Sequence, residues 1–283
     1  MEKFSKFTLI AFLIISFNIN LIIPLVNSQP DDEQHLPVLL IHGYASDASV
    51  WDSWLSPLRN VGITAHAVTF SDDPTTDVDE DECGRAVDHA MQLSSIVERF
   101  KEQTGAEKIN IVAHSKGGLD ARVYLAANPS NNDVANLIML GTPNEGSPIA
   151  DQNIRIDPCK PAVYDLMTTS PVNKVPKNEN TNYFTIAGNW ISVYSLQCAT
   201  LIGPCIYEDI NCPSPSNWFN WIEWTWVALQ NMWRLQIIGD DDGVVPVDSV
   251  EEPGEFKQLA QTNNCHTNLF SNEEYNFALR ILK

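Results

Sequence analysis

The chain has 283 residues, with 17 Lys and Arg against 36 Asp and Glu, which gives a formal net charge of −19 at pH 7. So acidic a chain is repelled by nucleic-acid phosphates and by anionic lipid headgroups, which argues against both as partners. Hydrophobic residues make up 44% of the chain, which excludes a disordered protein and allows the core of one large domain or two small ones.

The N-terminal segment has the layout of a secretory signal peptide. Two lysines precede an apolar stretch from Phe7 to about Val26, and Ser28 supplies a small residue for cleavage. An uncleaved membrane anchor is the alternative, because the stretch approaches the length that spans a bilayer. We predict a signal peptide over 1–28 and a secreted, extracellular domain over 29–283; both interpretations place that domain outside the cytoplasm.

The cysteines support export to an oxidising compartment. All six follow the apolar segment, at Cys83, Cys159, Cys198, Cys205, Cys212 and Cys265. Their even number predicts disulfides, although the pairing cannot be derived from spacing. Metal ligation is the alternative, but no Cys-x-x-Cys pair or Cys/His cluster favours it. We therefore predict neither a metal site nor a cofactor.

Alternating strand and helix patterns predict an α/β fold with a mostly parallel central sheet and helices on both faces. Continuous apolar runs at 38–41, 108–113 and 134–140 are typical of strands buried on both faces. Between the first two, apolar residues spaced three or four apart predict a helix that ends at Gly105. A further helix ends near Asn128.

Further elements complete the predicted sheet domain. Strand patterns occur at 63–70, 183–187 and 235–238, the last continuing through 242–246, and again at 256–259; helical patterns occur at 161–168 and 272–282. Two segments interrupt the alternation, at about 144–180 and 189–234. We predict that these inserts form a cap over the sheet domain.

Ser115 is the candidate nucleophile. It lies in Ala113-His114-Ser115-Lys116-Gly117, directly between a predicted strand and a predicted helix. A sharp strand-to-helix turn exposes a serine hydroxyl to a base, and the helix N-terminus supplies positive backbone N–H groups. The alternative is an ordinary N-cap serine. The preceding strand and the following double glycine favour the nucleophile.

A nucleophilic serine needs a general base and an acid that orients it. His266 lies between the last predicted strand and the last predicted helix, where active-site loops belong. The acid is expected within Gly239–Gly243, and Asp242 is favoured because it precedes the turn glycine. His42 and His114 are expected to hold loops by hydrogen bonds. The order Ser115, Asp242, His266 is that of a doubly wound hydrolase.

These motifs resemble the α/β-hydrolase superfamily, and within it the secreted lipase-like esterases, with an elbow similar to that of bacterial triacylglycerol lipases. The resemblance covers about 37–143 and 235–283. It implies that Ser115 attacks an acyl carbonyl, that His266 is the base and that Asp242 orients it. It also implies an oxyanion hole formed by the backbone N–H groups of Tyr44 and Lys116, with His42 and Gly43 in the same loop against the substrate.

The sequence departs from this resemblance at two positions. Many similar lipases bind calcium through an aspartate two residues after the catalytic histidine, and that position is Asn268 here. Lys116 stands where lipases often have an apolar side chain, and it either favours polar or anionic substrates or faces solvent. Seven acids in 72–82 lack the spacing of a calcium loop, so a solvated loop is expected there.

A tryptophan-rich segment within the second insert is the candidate acyl-binding surface. Trp218, Trp221 and Ile222 belong to one predicted helical face. This face either forms a hydrophobic lid that binds acyl chains or a lipid surface, or it is the buried core of the cap. The two interpretations are compatible, because the inner face of a cap lines the pocket.

The sequence thus predicts a secreted carboxylic ester hydrolase, a lipase or esterase that works through an acyl-enzyme. Its expected partner is a small-molecule or lipid ester substrate, with transient contact to a lipid surface and no obligate protein partner. The alternatives are an amidase, thioesterase, polyester depolymerase or acyltransferase with the same triad, and a non-catalytic extracellular binding protein. Because Cys265 precedes His266, a disulfide there is expected to brace the loop of the base.

Overall fold

The computed structural model describes residues 35–70, 84–153, 160–189, 240–251 and 256–283. They all belong to one compact unit, His35–Lys283. The predicted signal peptide, the acidic run 72–82, the strand at 235–238 and nearly all of the second insert, including Trp218, Trp221 and Ile222, lie outside the described residues. None of the described helices is long and apolar enough to cross a membrane.

The described strands form a six-stranded parallel sheet with the order β2-β1-β3-β4-β5-β6. The strands are β1 Val38–Ile41, β2 Ala65–Val68, β3 Ile109–His114, β4 Val134–Leu140, β5 Asn182–Gly188 and β6 Lys257–Thr262. The helices are α1 Asp52–Asn60, α2 Ala86–Thr104, α3 Lys116–Ala127, α4 Pro148–Asn153, α5 Lys160–Leu166, α6 Val247–Glu251 and α7 Asn272–Leu282. The strands and helices predicted within the described residues are confirmed, apart from a strand at 242–246.

Strand β1 shows why the sheet is covered on both faces. All four of its residues are buried, but alternate side chains enter different clusters. Leu39 and Ile41 pack with side chains of α2 and α3, whereas Val38 and Leu40 pack with side chains of α1 and α7. A strand between two helical layers needs apolar residues at every position, which explains its continuous apolar run.

Helix α2 was predicted from its apolar spacing. Its stripe of Ala86, Ala90, Leu93, Val97 and Phe100 is buried. The last four pack with side chains of the sheet, whereas Ala86 packs with Leu119 of α3. Gly105 ends the helix with φ +68°, a left-handed conformation that glycine adopts without a steric penalty. At the other end of the chain, α7 begins with a capping box between Ser271 and Glu274.

Three asparagines cross the sheet in register near the amino ends of β3, β4 and β5. Asn136 pairs with Asn110 on one side and with Asn182 on the other. Asn136 donates to Oδ1 of Asn110 over 2.8 Å, and Asn182 donates to Oδ1 of Asn136 over 3.1 Å. This asparagine ladder satisfies the buried amide oxygen of Asn110, as a buried polar group requires, and ends at the exposed Asn182.

The segment after the second insert corrects the prediction of a strand at 242–246. The backbone there turns back on itself, with an antiparallel bridge between Asp241 and Pro246 and a hydrogen bond from Asp242 N to Val245 O of 3.2 Å. Helix α6 follows directly. The valines resembled a strand, but in this closed turn they pair with no strand among the residues that the structure describes; Val245 packs instead with Ala187 and α6.

Candidate active site

Ser115 occupies a strained turn between β3 and α3. Its backbone has φ +51° and ψ −127°, a region that residues with a side chain rarely adopt and that costs about 1–3 kcal/mol. Its N–H donates to the carbonyl of Leu140 over 2.8 Å, and its carbonyl accepts from Gly118 N over 3.0 Å. These contacts hold Ser115 at the carboxyl edge of the sheet, as predicted for an elbow.

Glycines allow the loop after β1 to touch this turn. A Cβ at Gly43 would lie 2.8 Å from Cβ of Ser115, and one at Gly117 would collide with the carbonyl oxygen of His42. The loop His42–Tyr44 and the first turn of α3 are therefore packed against each other beside Ser115. Ala45, which follows Tyr44 in this loop, has φ +47° and is strained like Ser115.

Asp242 and His266 meet at the same edge of the sheet. Nδ1 of His266 donates to Oδ2 of Asp242 over 2.7 Å, and the backbone N–H of His266 donates to the Asp242 carbonyl over 2.9 Å. The other carboxylate oxygen, Oδ1, accepts from the N–H groups of Val244 (3.0 Å) and Val245 (2.7 Å). The 242–246 turn thus holds the carboxylate, and the carboxylate holds the imidazole.

The end of β4 joins Ser115 to this pair. Leu140 accepts the Ser115 hydrogen bond, and the next residue, Gly141, lies against both partners. A Cβ at Gly141 would be 3.1 Å from Oδ2 of Asp242 and 3.1 Å from Nδ1 of His266. Sequence reasoning missed Gly141; the only signal was its position directly after a buried strand.

His114 has the loop-holding role expected for it. Its Nε2–H donates to the backbone carbonyl of His266 over 3.0 Å, and the two rings are 4.7 Å apart. Burial, with a further contribution from His266, lowers the pKa of His114 well below its usual value. A neutral His114 therefore supports the loop of His266 without adding a positive charge beside it.

His42 is buried in the loop after β1. Its Nδ1–H donates to the carbonyl of Gly43 over 2.9 Å, and its ring packs edge-on against Phe70. Burial lowers its pKa, which keeps the ring neutral. That His42 and Gly43 contact the substrate stays a prediction. It is the backbone of these two residues that lies beside the Ser115 turn.

The side chain of Lys116 corrects a prediction. It neither faces solvent nor stands ready for an anionic substrate, because it is buried and donates to Oδ1 of Asp120 over 2.7 Å. Nδ1 of His89 donates to the other oxygen of Asp120 over 2.8 Å. Sequence reasoning missed this cluster, although the spacing of four between Lys116 and Asp120 was a local signal.

Two further features flank His266. Cys265 is disulfide-bonded, and its partner lies outside the described residues. Asn268 ends the short 3-10 helix His266–Asn268, at the position where the resemblance would place a calcium ligand. Within the described ranges, no group of three or more His, Cys, Asp or Glu side chains is arranged to hold a metal ion.

Comparison with known proteins adds evidence from a family model, from two relatives and from a solved structure. Residues 37–202, more than half of the chain, match the family model described as palmitoyl protein thioesterase. A triacylglycerol lipase of Pseudarthrobacter phenanthrenivorans is 35% identical over 141 residues, which is 48% of this chain and 38% of the lipase. A triacylglycerol lipase of Burkholderia plantarii is 35% identical over 141 residues, 48% of this chain and 34% of the lipase. The match therefore spans little more than a third of each relative's length.

The solved structure is evidence about the fold. The crystal structure of a mature Bacillus licheniformis lipase is similar to this structure with a TM-score of 0.66 and 20% sequence identity, covering 89% of this chain and 94% of that chain. At that identity the similarity is evidence for the fold alone. The predicted α/β-hydrolase fold is confirmed.

Proposed function

The chain belongs to the palmitoyl protein thioesterase family, and from this premise we propose that it is a serine hydrolase that cleaves carboxylic esters. One observation carries the proposal: the strained Ser115 bonds to Leu140 at the end of β4, and the Asp242–His266 pair lies against Gly141, the next residue. A nucleophile on a strained elbow beside a carboxylate-oriented histidine is the arrangement that acyl transfer requires.

The first half of the reaction forms an acyl-enzyme. The Ser115 hydroxyl oxygen attacks the acyl carbon, and its proton passes to Nε2 of His266, whose Nδ1–H stays on Asp242. The carbonyl electrons move onto the oxygen, giving a tetrahedral oxyanion. When they return, the bond from carbon to the leaving alcohol oxygen breaks, and His266 delivers the proton to that alcohol.

The second half regenerates the serine. Water gives a proton to Nε2 of His266 as its oxygen attacks the acyl carbon of the Ser115 ester. The new tetrahedral species collapses, the carbon–Oγ bond breaks, and His266 returns the proton to Ser115. The products are one carboxylic acid and one alcohol. This chain's own residues supply the nucleophile, the base and the orienting carboxylate.

The oxyanion is stabilised by backbone N–H groups on both sides of Ser115. One belongs to Lys116 at the start of α3, and the other to Tyr44 in the loop after β1. Gly43 and Gly117 bring these two segments together beside the serine. Donors fixed by packing stabilise the charge that develops in the transition state without having to reorganise.

Two observations support the proposed substrate class. The relatives named triacylglycerol lipase favour oxygen esters of fatty acids. The family description favours thioesters as the second candidate. Hydrolysis of p-nitrophenyl esters and of acyl-CoA thioesters of the same acyl chains, from C2 to C16, separates the two; a higher kcat/KM for the oxygen esters is expected.

The remaining assignments concern the signal peptide, the bounds of the domain and the two inserts. Residues 1–28 serve as a signal peptide, and 29–283 form the exported hydrolase domain. The inserts at about 144–180 and 189–234 form a cap in which Trp218, Trp221 and Ile222 bind the acyl chain. The net charge of −19 opposes adsorption to anionic membranes, so lipid contact is expected through apolar side chains.

The disulfide of Cys265 acts on the active site. It lies directly before His266, whose backbone is also fixed by hydrogen bonds to Asp242 and from His114. These two hydrogen bonds hold His266 itself. The cross-link adds a covalent restraint on the residue directly before it. Reduction is expected to lower kcat.

The direct test is a serine-to-alanine pair in residues 29–283. Ser115→Ala is expected to abolish hydrolysis of p-nitrophenyl butyrate with unchanged thermal unfolding. Ser94→Ala, on the exposed side of α2, is the matched control and should retain full activity. Full activity of Ser115→Ala would overturn the proposal and favour a non-catalytic binding protein or another active site.

A further inference from the structure

Three ionisable side chains are buried together beneath the elbow, outside the proposed triad. Lys116 and Asp120 are each 1% exposed, and His89 from α2 is 3% exposed. Lys116 Nζ lies 2.7 Å from Asp120 Oδ1 and 3.2 Å from His89 Nδ1, which itself lies 2.8 Å from Asp120 Oδ2. We call these three residues the elbow network. None of their side chains takes part in the reaction described above.

The location of this lysine is energetically unfavourable by itself. Burying a cation costs several kcal/mol unless a partner offsets it, and the first turn of a helix carries the positive end of its dipole. Asp120 provides the offset: burial raises the pKa of its carboxyl, but Lys116 and His89 lower it more, so the net pKa is lowered and the carboxyl stays charged.

The pair spans the first turn of α3, which contains two glycines. Gly117 and Gly118 lie between Lys116 and Asp120, and each is required by a close contact, with the His42 carbonyl and with Thr142 respectively. Each glycine makes a helix about 1 kcal/mol less stable than alanine would. The Lys116–Asp120 bond closes this turn, and the same turn carries the Lys116 N–H that faces the oxyanion.

His89 connects the network to the other oxyanion loop. Its ring stacks on Phe70 at 3.9 Å and 11°, and Phe70 packs edge-on against His42 at 5.5 Å. His42 in turn donates to the carbonyl of Gly43, the residue before Tyr44. A continuous set of contacts therefore runs from Asp120 to both segments that carry the oxyanion donors.

From these contacts we infer that Lys116, Asp120 and His89 are positioning residues, which align the two backbone N–H donors of the oxyanion hole with Ser115. The inference rests on the proposed serine-hydrolase function. The network touches neither substrate nor reacting atoms through its side chains. It acts on a charge that exists only in the transition state, so its loss lowers kcat and leaves KM nearly unchanged.

The test is steady-state kinetics with p-nitrophenyl butyrate, with the rate divided by the concentration of sites titrated with a fluorophosphonate. Asp120→Asn keeps the shape but removes the charge, and we expect kcat per titrated site to fall about 10- to 100-fold, with KM within about threefold. Asp133→Asn is the matched control, because Asp133 also pairs with a lysine, Lys101, in a half-exposed site on the far end of α2. It should leave both constants unchanged.

A second variant keeps the inference testable if Asp120→Asn does not fold. Lys116→Met combined with Asp120→Leu removes both charges, and apolar replacements of buried ion pairs are usually tolerated. We expect wild-type thermal stability with kcat per site still lowered. Wild-type kcat per site in this folded double variant, or an equal loss in Asp133→Asn, would overturn the inference. A wild-type protein that neither hydrolyses esters nor reacts with the fluorophosphonate would instead overturn the proposed function.

Discussion

Both carboxylate oxygens of Asp242 accept hydrogen bonds, one of them from His266. Oδ2 accepts from Nδ1 of His266 over 2.7 Å, while Oδ1 accepts from the N–H groups of Val244 and Val245 over 3.0 Å and 2.7 Å. Asp242 is 0% exposed, so no water competes for these contacts. The imidazole is thereby kept with its proton on Nδ1, which leaves Nε2 as the basic nitrogen.

Asp242→Asn is expected to invert this tautomer. The amide oxygen would keep the two backbone N–H bonds, placing the amide NH2 against Nδ1 of His266, which must then accept a hydrogen bond. Nε2 becomes protonated and cannot serve as the base, so kcat should fall by about 10⁴-fold with little change in thermal stability. Kinetics of ester hydrolysis and thermal unfolding check this. Asp240→Asn, on an exposed neighbour, is the control; equal kcat in the two variants would contradict the assignment of Asp242.

Gly141→Ala is expected to damage both stability and activity. Gly141 has φ +56°, and a Cβ there would lie 2.6 Å from Leu269 and 3.1 Å from the Asp242–His266 pair. The collision should cost about 2 kcal/mol or more and displace the imidazole. Gly62→Ala is the matched control, because Gly62 has φ +81° but nothing within 4 Å of the added carbon. It should show only a strain cost of about 1 kcal/mol and normal kcat, as measured by chemical unfolding and by kinetics.

Asp241 should make stability depend on pH. Burial raises the pKa of its carboxyl from 3.8 to about 6. A hydrogen bond from the Gly243 N–H opposes this shift, and the charges of Asp242 and Asp240 add to it. Because the folded state holds this proton more tightly, the stabilisation is complete below about pH 4 and is lost as the pH rises through 6. The Tm of Asp241→Asn relative to wild type should therefore increase between pH 4 and 7.

A gain of roughly 2–4 °C is expected, the shift that about 1 kcal/mol produces in a domain of this size. Asp248→Asn, on the exposed side of α6, should show no such trend. A Tm difference for Asp241→Asn that is constant across this range would show that Asp241 has the same pKa in the folded and unfolded chains.

The asparagine ladder should affect stability without affecting catalysis. Asn136→Leu removes the donor to Oδ1 of Asn110, which is 1% exposed, and the acceptor of Asn182. A buried amide oxygen left without a partner costs about 1–3 kcal/mol. Asn182→Leu, at the exposed end of the ladder, should cost less. Both should keep the wild-type kcat per site, since the ladder lies at the amino end of strands whose carboxyl ends carry the site; a tenfold loss of kcat would refute that separation.

Local patterns predicted the elements that position the candidate site. The strand β3, the strand-to-helix turn at Ser115 and the end of α2 at Gly105 are each determined by neighbours in sequence, and the structure has all three where they were predicted. The selection of Asp242 among three consecutive acids also came from a local signal, the following glycine. In the structure Asp242 contacts His266, whereas Asp240 is exposed.

Features that depend on distant residues could not be predicted in this way. Lys116 was expected to face solvent or substrate because nothing next to it in sequence reveals that His89, 27 residues earlier, bonds to the other oxygen of its partner Asp120. The strand predicted at 242–246 was wrong because Val244 and Val245 have β-prone side chains but pair with none of the described strands. The contact of Gly141 with His266 likewise joins segments that are far apart in the chain.

The central claim is that Ser115 is a nucleophile activated by His266 and Asp242, and covalent labelling tests it most directly. Residues 29–283 would be treated with a fluorophosphonate and analysed by intact mass and peptide mapping. The account predicts one adduct per chain, located on Ser115, with loss of ester hydrolysis in proportion to labelling, and slow or absent labelling in folded His266→Gln. An adduct on another residue, or none on a folded wild-type chain, would contradict it.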